Sequence, residues 1–293
     1  MLPNLVSYNP QHVPSHERID IEKLIKTKIA PLPGTVLRIS ALLRDVNVST
    51  RQLAEAVGCD PMLAARLLRM ANSPYYSMRK NVTSVHQAIE AIGTRTLYEI
   101  VMLNLTADSF AKEIRNSVLG RLIWEHSLTV ALLSRELSNI LGMRGSEDSF
   151  ICGLLHDIGK IMLLRADVER FTGLLENKEE NEMLNREYEL FGYTHAQVGA
   201  LVAKRWSLPE SVSHVILHHH NASQSEQSVI MAHLVNVADI VANINGYGLR
   251  LEEESALRNS ESILFLRLTE DQVETAWNNI QEGLHDVISM FHQ

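Results

Sequence analysis

Phe150-Ile151-Cys152-Gly153-Leu154-Leu155-His156-Asp157-Ile158-Gly159-Lys160-Ile161-Met162-Leu163-Leu164 is apolar almost all the way round a helical wheel. That pattern belongs to a helix buried at the centre of a fold, not to one laid on its surface. His156 and Asp157 stand in the middle of it. A carboxylate buried there is costly unless it is paired, protonated or bound to a cation, and the adjacent imidazole points to joint ligation of a metal. The same problem recurs at His233-Leu234-Val235-Asn236-Val237-Ala238-Asp239-Ile240-Val241-Ala242, where Asp239 is flanked on both sides by apolar residues.

Working outward, other histidines are placed to join these two aspartates. Leu122, His126, Thr129 and Leu133 share one helix face, which turns the His126 imidazole toward the core. His195 opens another helix, with Val198, Leu201 and Val202 behind it, and His218-His219-His220 ends a further helix with at least one imidazole able to turn inward. Taken singly, each has a purely structural reading. His126 would be a hydrogen-bonded core histidine, His195 a half-exposed helix start, the histidine run a polar helix end favoured by the dipole, and Asp157 the ion-pair partner of Lys160. Together, two aspartates inside apolar helices and a His-Asp doublet require a cation.

The remaining sequence carries helix periodicity nearly throughout and no convincing strand pattern, so the expected fold is all-α. Pro3, Pro10 and Pro14 make residues 1–16 an extended arm, and Pro31-Leu32-Pro33-Gly34 breaks the helix that starts near Ile19. Ser49 with Gln52, Ser84 with Gln87 and Thr269 with Gln272 have capping-box spacing, and Asp60-Pro61 marks another start. The polar stretch 176–185 reads as a loop or the solvated start of a helix. A last helix over 269–290 recurs on Val273, Trp277, Ile280, Leu284 and Val287. The expected organisation is an arm (1–16), a compact helical subdomain (17–110), a metal-site subdomain (111–245) and a C-terminal helical extension (246–293).

With 293 residues, 45% hydrophobic and 21% charged, the chain can bury a substantial core. It has no apolar run near the roughly 18 residues of a membrane span and no leader pattern, so no membrane is expected and the cytoplasm is the expected location. Cys59 and Cys152 read as buried free thiols. The net charge of −8 opposes nucleic-acid binding by phosphate neutralisation. A helix-turn-helix reading of residues 52–69 is weakened further because its second helix offers only Arg66 and Arg69 as basic residues.

These residues resemble the HD superfamily of metal-dependent phosphohydrolases, on His126, then His156-Asp157-Ile158-Gly159-Lys160, then His195, His219-His220 and Asp239 in that order. The first half is similar to the HDOD family of HD-related output domains, on Leu32-Pro33, Asp60-Pro61, Leu67-Leu68-Arg69-Met70-Ala71-Asn72-Ser73, and Ser84-Val85 leading to Ala88-Ile89 and Ile92-Gly93. The resemblance implies an HD-like helical bundle preceded by a smaller packed helical subdomain. It also implies one or two divalent transition-metal ions (iron, manganese, zinc or nickel) held by His126, His156, Asp157, His195, His219, His220 and Asp239, with Lys160 and Asp157 as the catalytic pair if the site turns over. The implied role is bacterial signal transduction through a protein partner or a phosphorylated or nucleotide ligand, with phosphoester hydrolysis as the alternative. Cyclic-di-GMP hydrolysis is disfavoured: Asn221-Ala222 follows His219-His220 where the HD-GYP branch carries an acidic residue and a Gly-Tyr-Pro loop. Gly246-Tyr247-Gly248 is out of place for that loop, and Leu122 stands where some of those enzymes carry a glutamate ligand.

Overall fold

The structure is a computed structural model that describes residues 19–73, 75, 81–143, 148–175 and 180–291, with the side chains of 180–182 left aside. The expected arm over 1–16 lies outside these residues. Among the described residues there are helices and turns and no strand. The all-α expectation therefore holds, and its local causes are visible at the helix starts. Ser49 caps α3 (Thr50–Gly58) through a complete capping box with Gln52. Asp60 accepts from the Met62 and Leu63 amides, with Pro61 at the first position of α4 (Pro61–Ala71). Ser84 caps the Gln87 amide at the start of a long helix, but the Gln87 side chain turns to the Thr83 amide instead of closing the box. That helix, α5 (Val85–Ser109), kinks at Gly93, whose φ of 81° lies in the left-handed region.

Two preceding helices, α1 (Ile21–Lys28) and α2 (Gly34–Leu43), are separated by the Pro31-Leu32-Pro33 break. Helices α2, α3 and α4 pack on α5, while α1 packs on later elements, α9 and α12, described below. The α4 face that a helix-turn-helix would present is committed to packing. Leu63, Leu67 and Met70 are buried, and Arg66 donates to Asp108 at 2.8 Å and to Asn104 at 3.1 Å on α5.

After the short α6 (Ala111–Asn116), the second block is built on α7 (Val118–Ile140), buried on nearly every side over its middle turns. Around it lie α8 (Ser149–Leu155), α9 (Ile158–Ala166), α10 (Val168–Leu174), α11 (Glu180–Phe191), α12 (His195–Arg205), α13 (Glu210–His218) and α14 (Val229–Ile244). A 3₁₀ turn (Ala222–Gln224) joins the last two. The short helices α15 (Glu254–Arg258) and α16 (Glu261–Leu266) follow. Then α17 (Glu270–Ser289), with its Thr269–Gln272 capping box, packs along α7. Its expected face is buried at Val273, Ile280, Leu284 and Val287, whereas Trp277 is only partly covered and Ala276 takes a place on the inner side.

Two expectations need correction. The central apolar segment is not one helix. Backbone bonding is interrupted at His156-Asp157, so that α8 and α9 meet end to end at the doublet. Hydrophobic pattern could not reveal this, because apolar residues continue through the break. Cys59 is exposed at the end of α3, while Cys152 is buried, and both are free.

The packing of α9 on α12 is unusually close: a Cβ at Gly159 would overlap the His195 carbonyl. Between α5 and α7, the buried Glu99 carboxylate accepts from Arg135 at 2.8 Å and faces Arg95 at 3.4 Å. Burial nevertheless pushes its pKa from the usual 4.5 to about 7. Replacing Gly159 with alanine forces these helices apart, and we expect a loss of about 3 kcal/mol or more in urea unfolding, at the overpacking end of the range. Because the Glu99 pKa is raised in the folded state, folding favours its protonated form. The stability of wild type relative to Glu99→Gln therefore falls as pH rises from about 4.5 to about 7, which paired urea melts at pH 5 and pH 8 will read.

Candidate metal centre

The break at the doublet aims two adjacent side chains at one point. His156 ends α8 in helical conformation and Asp157 precedes α9 at φ −102°, ψ 9°. Around them the structure gathers all seven expected ligands. His126 comes from the middle of α7, His195 from the first turn of α12 after its Thr194 cap, His219 and His220 from the end of α13, and Asp239 from α14. His156, His195 and His219 are fully buried, Asp157 is 1% exposed, and His126 and Asp239 are nearly as covered. His218, the other member of the histidine run, does not join them.

The seven fall into two groups. His126, His156 and Asp239 form one, and His195, His219, His220 and Asp157 the other. Asp157 lies between the groups. Its Oδ2 is 3.5 Å from both His126 Nε2 and His156 Nε2, and its Oδ1 is 3.2 Å from His195 Nε2 and 3.7 Å from His219 Nε2. In the first group, His126 Nε2 sits 3.0 Å from Asp239 Oδ1 and 3.2 Å from His156 Nε2.

The other ring nitrogens explain why Nε2 faces inward at four of the five histidines. Nδ1 of His126 meets the Tyr247 carbonyl at 2.5 Å, that of His156 the Gly153 carbonyl at 2.7 Å, and that of His219 the Ile216 carbonyl at 2.7 Å. His195 Nδ1 meets the buried Glu187 carboxylate at 2.8 Å, and Glu187 also accepts the His195 amide. A carbonyl or carboxylate can only accept, so each of these Nδ1 atoms carries a proton, and Nε2 of a neutral ring presents its lone pair to the centre. Against the effect of burial, Asp239 raises the His126 pKa and Glu187 raises that of His195 to about 9, so the 3.2 Å contact between His126 Nε2 and His156 Nε2 is bridged either by a proton or by a metal cation. Burial pushes the His156 pKa down to about 4 and that of His219 well below its ordinary range, which withholds a proton from these rings at neutral pH. Asp157 Oδ1 is buried and receives no hydrogen bond. The donor set therefore fits a divalent transition metal, with mixed imidazole and carboxylate donors and Nδ1 held by an acceptor at four of the five rings.

Lys160 donates to Asp157 Oδ2 at 2.6 Å, the ion pair expected one turn along the helix. Burial opposes the charge on Asp157, but Lys160 and the neighbouring imidazoles outweigh it and hold the carboxyl well below the usual range. His126, Asp157, His195, His220 and Asp239 border a cavity of about 40 Å³ that Lys160, Asn243, Arg250 and Glu252 also line, room for about two or three water-sized groups.

Three supporting features escaped the sequence reading. Glu187 lies on α11, just beyond the stretch read as loop or solvated helix start, yet it is fully buried. Its four-residue spacing from Met183 and Phe191, both buried, was a readable signal. Asn243, one turn after Asp239, donates to Asp239 Oδ1 at 2.9 Å. The Gly246-Tyr247-Gly248 turn, out of place as a ligand loop, holds His126 through the Tyr247 carbonyl, and a Cβ at Gly248 would overlap the Asn243 side chain.

A family model described as the HDOD domain matches residues 29–222, two thirds of the chain, ending before Asp239. Among solved structures, an HDOD domain protein of unknown function from Geobacter sulfurreducens matches at 24% identity and TM-score 0.73, covering 95% of this chain and 98% of the other. A Shewanella amazonensis protein with a provisional phosphohydrolase name matches at 20% identity and TM-score 0.73, over 94% and 98%. At these identities the likeness shows the fold. An uncharacterized protein of Treponema pallidum is 27% identical over 66% of this chain and 38% of its own length. A ribonuclease Y of Thermus thermophilus is 28% identical over 54% of this chain and 23% of its own. The chain thus spans well under half the length of these curated relatives.

Glu187→Gln leaves the amide in place but removes the carboxylate that orients His195. Metal affinity, measured by competition with a chromogenic chelator, is expected to fall roughly 10- to 100-fold, with the fold retained by circular dichroism.

Proposed function

The chain belongs to the HDOD family, and on that footing we propose that it is a bacterial signal-transduction protein whose His-Asp centre holds one or two divalent transition-metal ions. It acts by binding a phosphorylated or nucleotide ligand at that centre and a signalling protein elsewhere on its surface. The observation that carries this reading is the convergence of five imidazoles with Asp157 and Asp239 in two adjoining donor groups, four of the rings being held from behind at Nδ1. Without a metal, the two buried carboxylates depend on Lys160 and on a proton at His126 for compensation. In this reading residues 17–110 form the helical subdomain, 111–245 the metal-site subdomain and 246–293 an extension. The cytoplasm is the proposed place of work, in keeping with the absence, among the described residues, of a helix long and apolar enough to cross a membrane.

His126, His156 and Asp239 would hold one ion, and His195, His219 and His220 the other, with Asp157 shared. Bound there, such ions lower the pKa of a coordinated water and polarise a phosphoryl oxygen. The protein's own share is orientation and charge. Glu187 and the Tyr247 carbonyl fix two rings, Asn243 fixes Asp239, and Lys160 holds Asp157 while placing a positive charge on the cavity wall, where it offsets phosphate charge.

Lys160 beside an open cavity also favours the second reading, a metal-dependent phosphohydrolase, with Lys160 and Asp157 in contact with the reacting group. The relatives named ribonuclease Y place phosphodiesters among the substrates to be tried, although the net charge of −8 opposes a long nucleic-acid footprint. DNA binding through α3 and α4 is the weakest reading, because Arg66 is committed to α5.

Elemental analysis of protein purified and reconstituted with manganese, iron, zinc or nickel tests the proposal. Wild type is expected to retain one to two ions per chain and Asp157→Ala to lose at least one. Metal-free wild type after reconstitution sinks the proposal. A parallel screen on phosphomonoesters, nucleotides and phosphodiesters is expected to show ligand-induced thermal stabilisation without turnover. Turnover that vanishes in Asp157→Ala would replace the binding reading with the hydrolase.

A further inference from the structure

A second concavity of about 440 Å³ runs on from the metal cavity, between α14, the 3₁₀ turn and α16, and His220, Arg250 and Glu252 wall both. It is lined by polar groups whose hydrogen-bonding directions can be deduced one after another. The His219 carbonyl can only accept, so Asn236 turns its Nδ2 toward it, at 3.0 Å. That leaves Asn236 Oδ1 as an acceptor, to which Ser262 Oγ donates its single proton at 2.7 Å, with Ser260 Oγ more distant at 3.4 Å. Ser262 Oγ, its proton spent, must accept from His233 Nδ1 at 2.9 Å. His233 is 1% exposed, and burial lowers its pKa against the smaller opposing effect of Glu261. The ring is therefore neutral, with its proton on Nδ1 and a bare lone pair on Nε2. That Nε2 is buried and has no partner in the protein. Stacking on Phe265, with centroids 4.0 Å apart and planes 21° from parallel, keeps the ring from turning to find one.

A buried acceptor without a donor, on a residue that lines a cleft, is costly unless a ligand supplies the donor. Glu252 and Glu261 line the same cleft beside the cation Arg250 and offer further acceptors to such a donor. We propose that this cleft seats the organic part of a phosphoester whose phosphoryl group meets the metal cavity, and that His233 Nε2 selects for a hydroxyl or amine on that part. The proposal rests on the reading of the centre as a phosphate-binding metal site. It adds the recognition of what the phosphate is attached to, through a relay that ends on the backbone of a metal-ligand residue, His219.

The test uses the full chain reconstituted with manganese and compares inorganic phosphate, phenyl phosphate (no donor on the organic part), glycerol phosphate and adenosine monophosphate. Binding is measured by calorimetry, or as KM for an ester that turns over. At least one donor-bearing ester is expected to bind about tenfold more tightly than phenyl phosphate. That ratio should collapse toward one in His233→Phe, which keeps a ring against Phe265. It should fall by a smaller factor in Ser262→Ala, which keeps the imidazole but releases its tautomer and guards against a folding failure of the first variant. Donor-bearing esters no tighter than phenyl phosphate, or a ratio unchanged by both substitutions, overturn the subsite. Failure of inorganic phosphate to bind the metal-loaded wild type overturns the phosphate-site reading beneath it and the subsite with it. Phosphate binding without discrimination overturns the subsite alone.

Discussion

Five imidazoles and two carboxylates turned toward one another inside the protein, with Asp157 between the two groups, are the constraint around which this molecule is organised. Such an arrangement is costly without a proton or a metal cation to bridge it, and it persists only where surrounding packing leaves the rings no other orientation. The structure supplies that packing from five helices. Four of the five inward-facing rings are locked from behind by a carbonyl or a carboxylate, and the helices that deliver the cluster are buried on several sides, α7 and α14 above all. Asp157 can face both groups because the helix stops for two residues at the doublet. An uninterrupted helix would place successive side chains about 100° apart around its axis and would spread the pair away from a common point.

Close helix approach is the second condition. The carbonyl of His195 lies where a side chain at position 159 would be, so the ligand at the start of α12 and the helix following Asp157 share one tight joint. Moving either helix outward would carry His195 away from Asp157. Packing and ligand geometry are therefore the same property at this joint.

His126, His156, Asp157 and Asp239 were legible in the sequence as polar residues within otherwise apolar helical segments, a mismatch that pattern alone exposes, whereas His195, His219 and His220 lie at helix ends where a polar residue is ordinary. Their order along the chain was legible through resemblance. What escaped reading had physical reasons. The carbonyls of Gly153, Ile216 and Tyr247 hold rings in place but carry no residue identity, so no letter in the sequence announces them. The break at His156-Asp157 lies within continuous apolar residues and leaves no periodic trace. Glu187 sits next to a charged stretch that masks it, although its spacing from Met183 and Phe191 marks a buried face. Cys59 was misjudged because apolar neighbours do not reveal which side of a helix end faces solvent.

The first helix packs on the second block, and the segment behind it is gripped in an unusual way. Arg165 reaches the Lys28 carbonyl, Arg205 that of Ile29 and the Trp206 indole that of Ala30. All three donors address backbone oxygen, which every amino acid offers alike. The exposed residues Lys28 and Ala30 are therefore free to change identity without loosening the grip, whereas Ile29 is also held by burial of its own side chain. The burden of conservation falls on the three donors, and relatives of this protein that keep them can diverge in the linker while docking the first helix in the same place.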